Sequence, residues 1–496
     1  MSRIQVNHLT FCYEGSYDNI FEDVSFTLDT DWKLGFIGRN GKGKTTFLKL
    51  LLGKYEYIGE ITASVEFQYF PFPISDTKRK TIDIIEEIFP DYELWVICRE
   101  LTLLQVDADL LYRSYETLSG GEQVKVMLAV LFSRENHFLL IDEPTNHLDQ
   151  ESRDAIHEYL KKKKGFLLIS HDRVLLNDCV DHILALNRAN IEVFQGNFDT
   201  WWENKRRQDA FEFSENEKLK KDIGRLKEAA RQTRSWGDQV EATKIGKKSE
   251  KYEKNIDTRA FVGEKSRRMQ QRRKNLERRQ NAEIEEKSKL LKNLEKNEEL
   301  RLLPLRHSKE ILVKLDHICF GYEEKRILDD FSIQILNGER IALEGRNGCG
   351  KSTVLKMIME QLVPDSGTVY KAGGLRISYV PQDASFLKGS LSDYAKQCKI
   401  EEALFKALLR KLDFERVQFE KSMENFSEGQ KKKVLIARSL CEQAHLYIWD
   451  EPLNYIDVFS RMQIEELVKK YNPVLLFVEH DSLFAEHIGA KHIVFQ

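Results

Sequence analysis

The chain has 496 residues, 41% of them hydrophobic and 32% charged, which allows about three domains and, with 28 Phe and 17 Tyr, ample material for their cores. No apolar run approaches the roughly 18 residues of a membrane span, and the opening MSRIQVNHLTF lacks a basic-then-apolar leader, so the expectation is a soluble, cytoplasmic protein without membrane association. The net charge of −3 hides a segregation: residues 201–310 hold 31 Lys and Arg against 21 Asp and Glu, leaving 46 against 59 elsewhere, which points to a polyanion contact in the middle. Seven scattered cysteines with no CxxC or HxxxH companions argue against a metal or disulfide framework.

Along the chain, an apolar run at residues 34–37 leads into GRNGKGKT, residues 38–45, and then the helical TFLKLLLGK. Strand, glycine loop and helix in that order form a phosphate cradle. Gly38, Asn40, Gly41 and Gly43 curl backbone N–H groups around phosphate oxygens, Lys44 adds a point charge, Thr45 offers a hydroxyl to Mg2+, and Thr46 completes the set. Next comes LSGGEQ, residues 118–123, where the Ser119-Gly120-Gly121 turn enters a helix and presents N–H donors and a hydroxyl to an anion. The buried-strand run HFLLIDEP, residues 137–144, ends in Asp142, placed for the Mg2+ shell, and Glu143, placed to polarise a water. LLISHD then puts His171 at another strand tip, where an imidazole can contact a γ-phosphate or order that water.

The middle of the chain changes character, becoming rich in Lys, Arg, Glu and Gln. Apolar residues recur at helical spacing in Phe211, Leu219, Ile223 and Leu226, and again in Met269, Leu276, Ile284, Leu291 and Leu294. The pattern predicts two long antiparallel helices with a tip running from Trp236-Gly237 to Phe261. A helix of about 30 residues is about 45 Å long, enough to probe deeply into another body. Residues 218–279 hold 21 basic against 9 acidic side chains, an excess that suits phosphate contacts and RNA more than a merely solvated face.

Beyond it the first set of motifs returns. GRNGCGKS, residues 345–352, supplies Gly345, Asn347, Gly348, Gly350, Lys351 and Ser352, with Thr353 next. YVPQD places Gln382, FSEGQK places Ser427 and Gly429, HLYIWDEP ends in Asp450 and Glu451, and LLFVEHD ends in His480. Lys44 to Lys351, Gly121 to Gly429, Asp142 to Asp450 and His171 to His480 are 307, 308, 308 and 309 residues apart. So long a period means two copies of one domain rather than a solenoid.

These motifs resemble a pair of ABC-type ATPase cassettes. The fold class expected is α/β, two ABC-type cassettes joined by a long antiparallel α-helical hairpin linker: residues 1–200, 309–496 and, between them, 201–308. The resemblance implies that each signature turn closes over the nucleotide of the other cassette. Site one is then Lys44, Asp142, Glu143 and His171 facing Ser427 and Gly429, and site two is Lys351, Asp450, Glu451 and His480 facing Ser119, Gly120 and Gly121. ATP is the nucleotide and Mg2+ the metal, held by Thr45 and Asp142 in one site and by Ser352, Gln382 and Asp450 in the other. Glu143, Glu451, His171 and His480 are the catalytic set, and Tyr13 and Tyr322 stand where the family stacks an aromatic ring on adenine. Two departures fall on site one: Phe72 occupies the place of Gln382, and Glu428 replaces a signature glycine, so the sites are expected to be unequal, with site two the better hydrolytic unit.

EPTNHLD at residues 143–149, paired cassettes and a long charged linker together resemble the ABC-F family of translation factors. Members bind the ribosome's tRNA exit site with ATP, insert the linker toward the peptidyl-transferase centre and leave after hydrolysis. The spans from Thr45 to Ser119 and from Ser352 to Ser427, 74 and 75 residues, leave no room for a large arm in the first cassette, and the chain stops 16 residues after His480. With YLKKKKGF and LYIWDEPLNYID, these features look like the Lsa-type antibiotic-resistance branch. That resemblance implies protection of the bacterial 70S ribosome, through 23S rRNA and P-site tRNA, by a monomer without an obligate protein subunit. Lys244, Lys247, Lys248, Lys254, Ile256 and Phe261 are the tip residues chosen for RNA contact, Phe261 reading equally as a staple between the helices. Three other readings stay open: a drug-independent ABC-F factor relieving stalled ribosomes, the ATPase subunit of a transporter, and a DNA-associated ATPase.

Overall fold

The computed structural model describes residues 2–13, 19–134, 136–146, 148–187, 190–242, 271, 274, 275, 278, 279, 302, 304–322, 325–346, 348–414, 416–479 and 481–495. The chain divides into one unit of Met1–Trp201 with Glu298–Gln496 and a second of Trp202–Asn297. Among the described residues no helix is long and apolar enough to cross a membrane, and all seven cysteines are free.

In the first unit each cassette is a mixed α/β body. The first has a sheet in the spatial order Glu66–Phe70, His137–Asp142, Phe166–Ile169, Lys33–Ile37, His182–Asn187 and Asn190–Gln195, with only the last strand antiparallel to its neighbour. Its central strands read as continuous apolar runs, FLLI and HFLLID, because both faces are covered. The second cassette repeats the order with Ile377–Val380, Leu446–Asp450, Leu475–Val478, Arg340–Glu344 and Lys491–Val494, all parallel. A three-stranded antiparallel sheet accompanies each. Between the central sheet and this small one lies a core that includes Phe36, Phe47, Phe138 and Leu167 in the first cassette, and Leu343, Leu355, Ile448 and Leu476 in the second. Parallel pairing brings every functional strand to the same edge, where the phosphate loops, the acids and the histidine-bearing loops emerge together.

The second unit is described chiefly by the helix Phe198–Ala242, whose 45 residues correspond to about 68 Å. Two expectations are corrected here. The helix passes through Trp236-Gly237, expected from the sequence to belong to the tip, since each of its two glycines, Gly224 and Gly237, costs only about 1 kcal/mol in so long a helix. Phe211 is 62% exposed and does not share the stripe that buries Asn216 and Ile223. The helix surface carries ion pairs such as Lys205–Asp209 at 3.3 Å and Lys220–Glu217 at 3.5 Å. Met269, Leu276, Ile284, Leu291 and Leu294 of the second expected helix lie outside the described residues, as do all six tip residues, Lys244, Lys247, Lys248, Lys254, Ile256 and Phe261.

Candidate active sites

The first phosphate loop leaves the buried strand Lys33–Ile37 and turns into the helix Lys44–Leu51 through Gly43, whose φ of 107° is a left-handed conformation. A Cβ there would lie 2.5 Å from Cγ2 of Ile20, so both the backbone and the space require glycine. Gly350 repeats the arrangement at φ 105°, with Ile327 in the place of Ile20. The Lys44 ammonium, 8% exposed, donates to the carbonyl of Gly38 at 2.5 Å and to Oδ1 of Asn40 at 3.1 Å. Burial lowers its pKa, opposed by the charges of Asp457, Glu143 and Asp142. Lys351 curls the same way onto the carbonyls of Gly345 at 2.6 Å and Arg346 at 2.9 Å.

The hydroxyls and acids meet as the motifs require. Thr45 Oγ1 donates to Oδ2 of Asp142 at 3.2 Å, an oxygen that also accepts from Tyr69 at 3.0 Å, and Ser352 Oγ donates to Oδ1 of Asp450 at 3.4 Å. Each site therefore pairs a hydroxyl with a carboxylate oxygen, hard donors that fit Mg2+. Burial raises both aspartates, Asp450 to about 6. The glutamates that follow share a left-handed backbone, φ 52° at Glu143 and 47° at Glu451, which turns each side chain away from its strand.

Glu143 is pushed up to about 8 by burial and then by Asp142, while His171, whose Nε2 is 3.2 Å from Glu143 Oε1, is held well below its usual value by burial and by Lys44 and Arg461. Both are then neutral near pH 7, the states in which a carboxyl and an imidazole share a buried site at least cost. Glu451 accepts from Nδ2 of Asn454 at 2.7 Å. Tyr13, 41% exposed, shares a hydrogen bond of 2.7 Å with Thr46, and Tyr322 is 46% exposed with its ring edge-on to Phe320, so each leaves a ring surface open. His480 and Asn347 lie outside the described residues.

Each signature serine caps its helix. Ser119 Oγ accepts from the N–H of Glu122 and Ser427 Oγ from that of Gln430, both at 3.3 Å, and the side chains of Glu122 and Gln430 answer in reciprocal capping boxes. The second signature glycine is sterically demanded: a Cβ on Gly429 would lie 2.5 Å from the carbonyl oxygen of Tyr455, and one on Gly121 would collide with Oγ of Ser152. Gly120 has nothing within 4 Å, which is why Glu428 fits at the equivalent place. Its carboxylate is taken up by Lys431, 3.0 Å away on the same helix. Phe72 packs edge-on against Phe89 with ring centroids 5.5 Å apart, whereas Gln382 is exposed.

Several residues around site one come from the other cassette, and motif reading missed them. Asn40 Nδ2 donates to the carbonyl of Tyr455 at 2.8 Å, and Arg39 pairs with Asp413. The buried pair Lys433–Asp457, 2.8 Å, bears on both Lys44 and His171, and Arg461 bears on Glu143 and His171. Asp457 is held well below the usual carboxylate range, against burial, by Lys433. Lys125, Asp149 and Arg153 precede Lys433, Asp457 and Arg461 by the same 308 residues, a signal the repeat already contained. Arg173 Nη2 meets Glu465 Oε2 at 2.7 Å with both side chains buried, and Arg346 meets Glu151 at 2.8 Å in the open.

Two phosphate loops, each with its acid pair at the same sheet edge, define a paired-cassette ATPase. The ABC transporter family matches residues 21–146 and 328–454, together just over half of the 496 residues, and the chain belongs to that family. Within it the chain is an ABC-F family ATPase. It is 27% identical to the ATP-binding protein Uup of Buchnera aphidicola subsp. Acyrthosiphon pisum, over 99% of this chain and 80% of that one. It is 26% identical to the ribosome protection protein VmlR of Bacillus subtilis, over 97% and 85%, and 26% identical to ABC transporter F family member 2 of Arabidopsis thaliana, over 98% and 75%. Among solved structures, the archaeal ribosome recycling factor aABCE1, in complex with the ribosomal stalk protein aP1, shares the fold at a TM-score of 0.59 and 20% identity, covering 98% of this chain and 87% of that one.

Proposed function

We propose that this chain is an ATP-dependent ribosome-binding factor of the Lsa-type branch, protecting the bacterial 70S ribosome from lincosamides, pleuromutilins and streptogramin A. The observation that carries the reading is the presence of two complete acid and phosphate-loop sets on cassettes already joined through Asn40 and Tyr455, together with a 45-residue helix entering a basic segment. The relation over 97% of this chain to a protein named for ribosome protection supports it. Residues 201–308 then act as the linker, reaching from the tRNA exit site toward 23S rRNA and P-site tRNA through Lys244, Lys247, Lys248, Lys254, Ile256 and Phe261. The drug is displaced without chemical change.

In the cassettes, Lys44 and Lys351 leave their loop carbonyls for the triphosphate, and Tyr13 and Tyr322 stack on adenine. Thr45 and Asp142 in one site, and Ser352, Asp450 and Gln382 in the other, would hold Mg2+, which would neutralise charge developing on the phosphates. Glu143 and Glu451 orient the attacking water, aided by His171 and His480. Ser427 and Gly429 close site one, and Ser119, Gly120 and Gly121 close site two. Hydrolysis separates the cassettes, and the protein, a cytoplasmic monomer, leaves the ribosome. Sedimentation of the E143Q/E451Q chain with 70S ribosomes in ATP tests this: retention on ribosomes is expected, and free protein at every ATP concentration contradicts it.

A second reading is a drug-independent factor acting on stalled ribosomes: the chain is as similar to a relative named only for ATP binding as to the one named for ribosome protection. It uses the same sites and differs only in what the linker does.

A further inference from the structure

Lys432 is 3% exposed, yet it is not part of either nucleotide set. Its ammonium donates to the carbonyl of Pro381 at 3.0 Å and to that of Asp450 at 3.4 Å. Pro381 directly precedes Gln382, and Asp450 directly precedes Glu451. One buried cation therefore ties the glutamine-bearing loop to the strand end that presents the acids.

Glu479, 7% exposed, completes the arrangement. Its Oε2 accepts from the N–H of Leu453 at 3.0 Å, pinning the turn just after Glu451, and its charge is the foremost of those that oppose the burial of Lys432, ahead of Glu451 and Asp450. A buried lysine bonded to two carbonyls, with a neighbouring carboxylate bonded to the next turn, fixes the groups around it.

The first cassette lacks all three parts. At the positions equivalent to Gln382, Lys432 and Glu479 it has Phe72, Val124 and Ser170. Phe72 packs on Phe89, and Ser170 Oγ accepts only a local bond from the N–H of Asp172 at 3.0 Å. Lysine, glutamate and glutamine are thus present together in one copy of the domain and missing together from the other, as expected of residues that work as a unit.

We propose that Lys432, braced by Glu479, is a positioning residue of the second site, holding Gln382 in register with Glu451 so that hydrolysis there depends on a device the first site does not have. The proposal rests on the reading of site two as a hydrolytic site. A loop displaced by even 1 Å lowers the rate of a positioned reaction about a hundredfold while leaving nucleotide binding largely intact.

The test is steady-state ATP hydrolysis by the full chain carrying E143Q, with melting temperature and binding of a fluorescent ATP analogue measured alongside. K432M is expected to lower kcat about tenfold or more with KM for ATP changed less than about threefold, and K432R to recover most of the loss. Should K432M fail to fold, K432V/E479S, which copies Val124 and Ser170 without leaving a buried charge, is expected to show the same loss of kcat. An unchanged kcat in K432M or in the double variant, with the E143Q chain itself active, overturns the proposal. Absence of hydrolysis by the E143Q chain itself overturns the reading of site two, and the proposal with it.

Discussion

Asn40 and Tyr455 are 415 positions apart, and the side-chain amide of the first donates at 2.8 Å to the carbonyl of the second. The same carbonyl is the atom that a Cβ on Gly429 would approach to 2.5 Å. The first phosphate loop and the second signature turn therefore meet on one peptide group, which places the start of a helix carrying Ser427 and Gly429 beside the loop of the other cassette.

Gly429→Ala is consequently expected to lower ATP hydrolysis at least about tenfold and to cost about 1–3 kcal/mol of stability, because backbone must move. Gly120→Ala, with open space around it, is expected to change stability by less than about 0.5 kcal/mol. Paired melting curves and ATPase assays of the two variants check this.

The pair Arg173–Glu465 joins the cassettes out of water. Removing Glu465 strands the guanidinium and is expected to cost about 3–5 kcal/mol, whereas R173M leaves Glu465 with Lys469 and His487 and costs less. Denaturant melts of E465A, R173M and the double variant should rank in that order of damage, the double variant recovering part of the E465A loss.

Glu143 gives stability a pH dependence whose sign follows from proton binding. With its carboxyl raised to about 8, the folded chain holds a proton that the unfolded chain releases above the ordinary carboxylate range, so this group lowers stability progressively as pH rises from about 4.5 to 8. His171, lowered by burial, acts oppositely: the unfolded chain binds the extra proton, and stability is lost as pH falls below about 6.5. E143Q is therefore expected to be more stable than the wild type by about 1–3 kcal/mol at pH 8, with the difference vanishing near pH 4.5. Melts of both chains across that range provide the measurement.

The two acids should not contribute equally. Gln382 is exposed at site two while Phe72 is packed away on Phe89, so E451Q is expected to reduce steady-state ATPase more than E143Q does, by about threefold or more. Equal losses would remove the inequality.

Strand, loop and acid placement were readable in the sequence because each depends on neighbours close along the chain: a buried apolar run, glycines at Gly43 and Gly350, and carboxylates at a strand end. Lys433, Asp457 and Arg461 were not, because their relevance to Lys44, Glu143 and His171 arises only when one cassette packs on the other. Glu428 stands in the sequence as a departure from the signature glycine, and only the position of Lys431 shows where its charge goes. Trp236-Gly237 reads as a break in the sequence, yet the helix runs through it because the cost of Gly224 and Gly237 is small against 45 residues of helix.

Whether ATP turnover serves ribosome protection is tested most directly by the minimum inhibitory concentrations of lincomycin, tiamulin and virginiamycin M in a susceptible Gram-positive host expressing either the wild-type chain or E143Q/E451Q. Raised inhibitory concentrations with the wild type alone are expected. No shift with either chain, both being soluble and expressed, would contradict protection and leave the drug-independent translation factor as the reading.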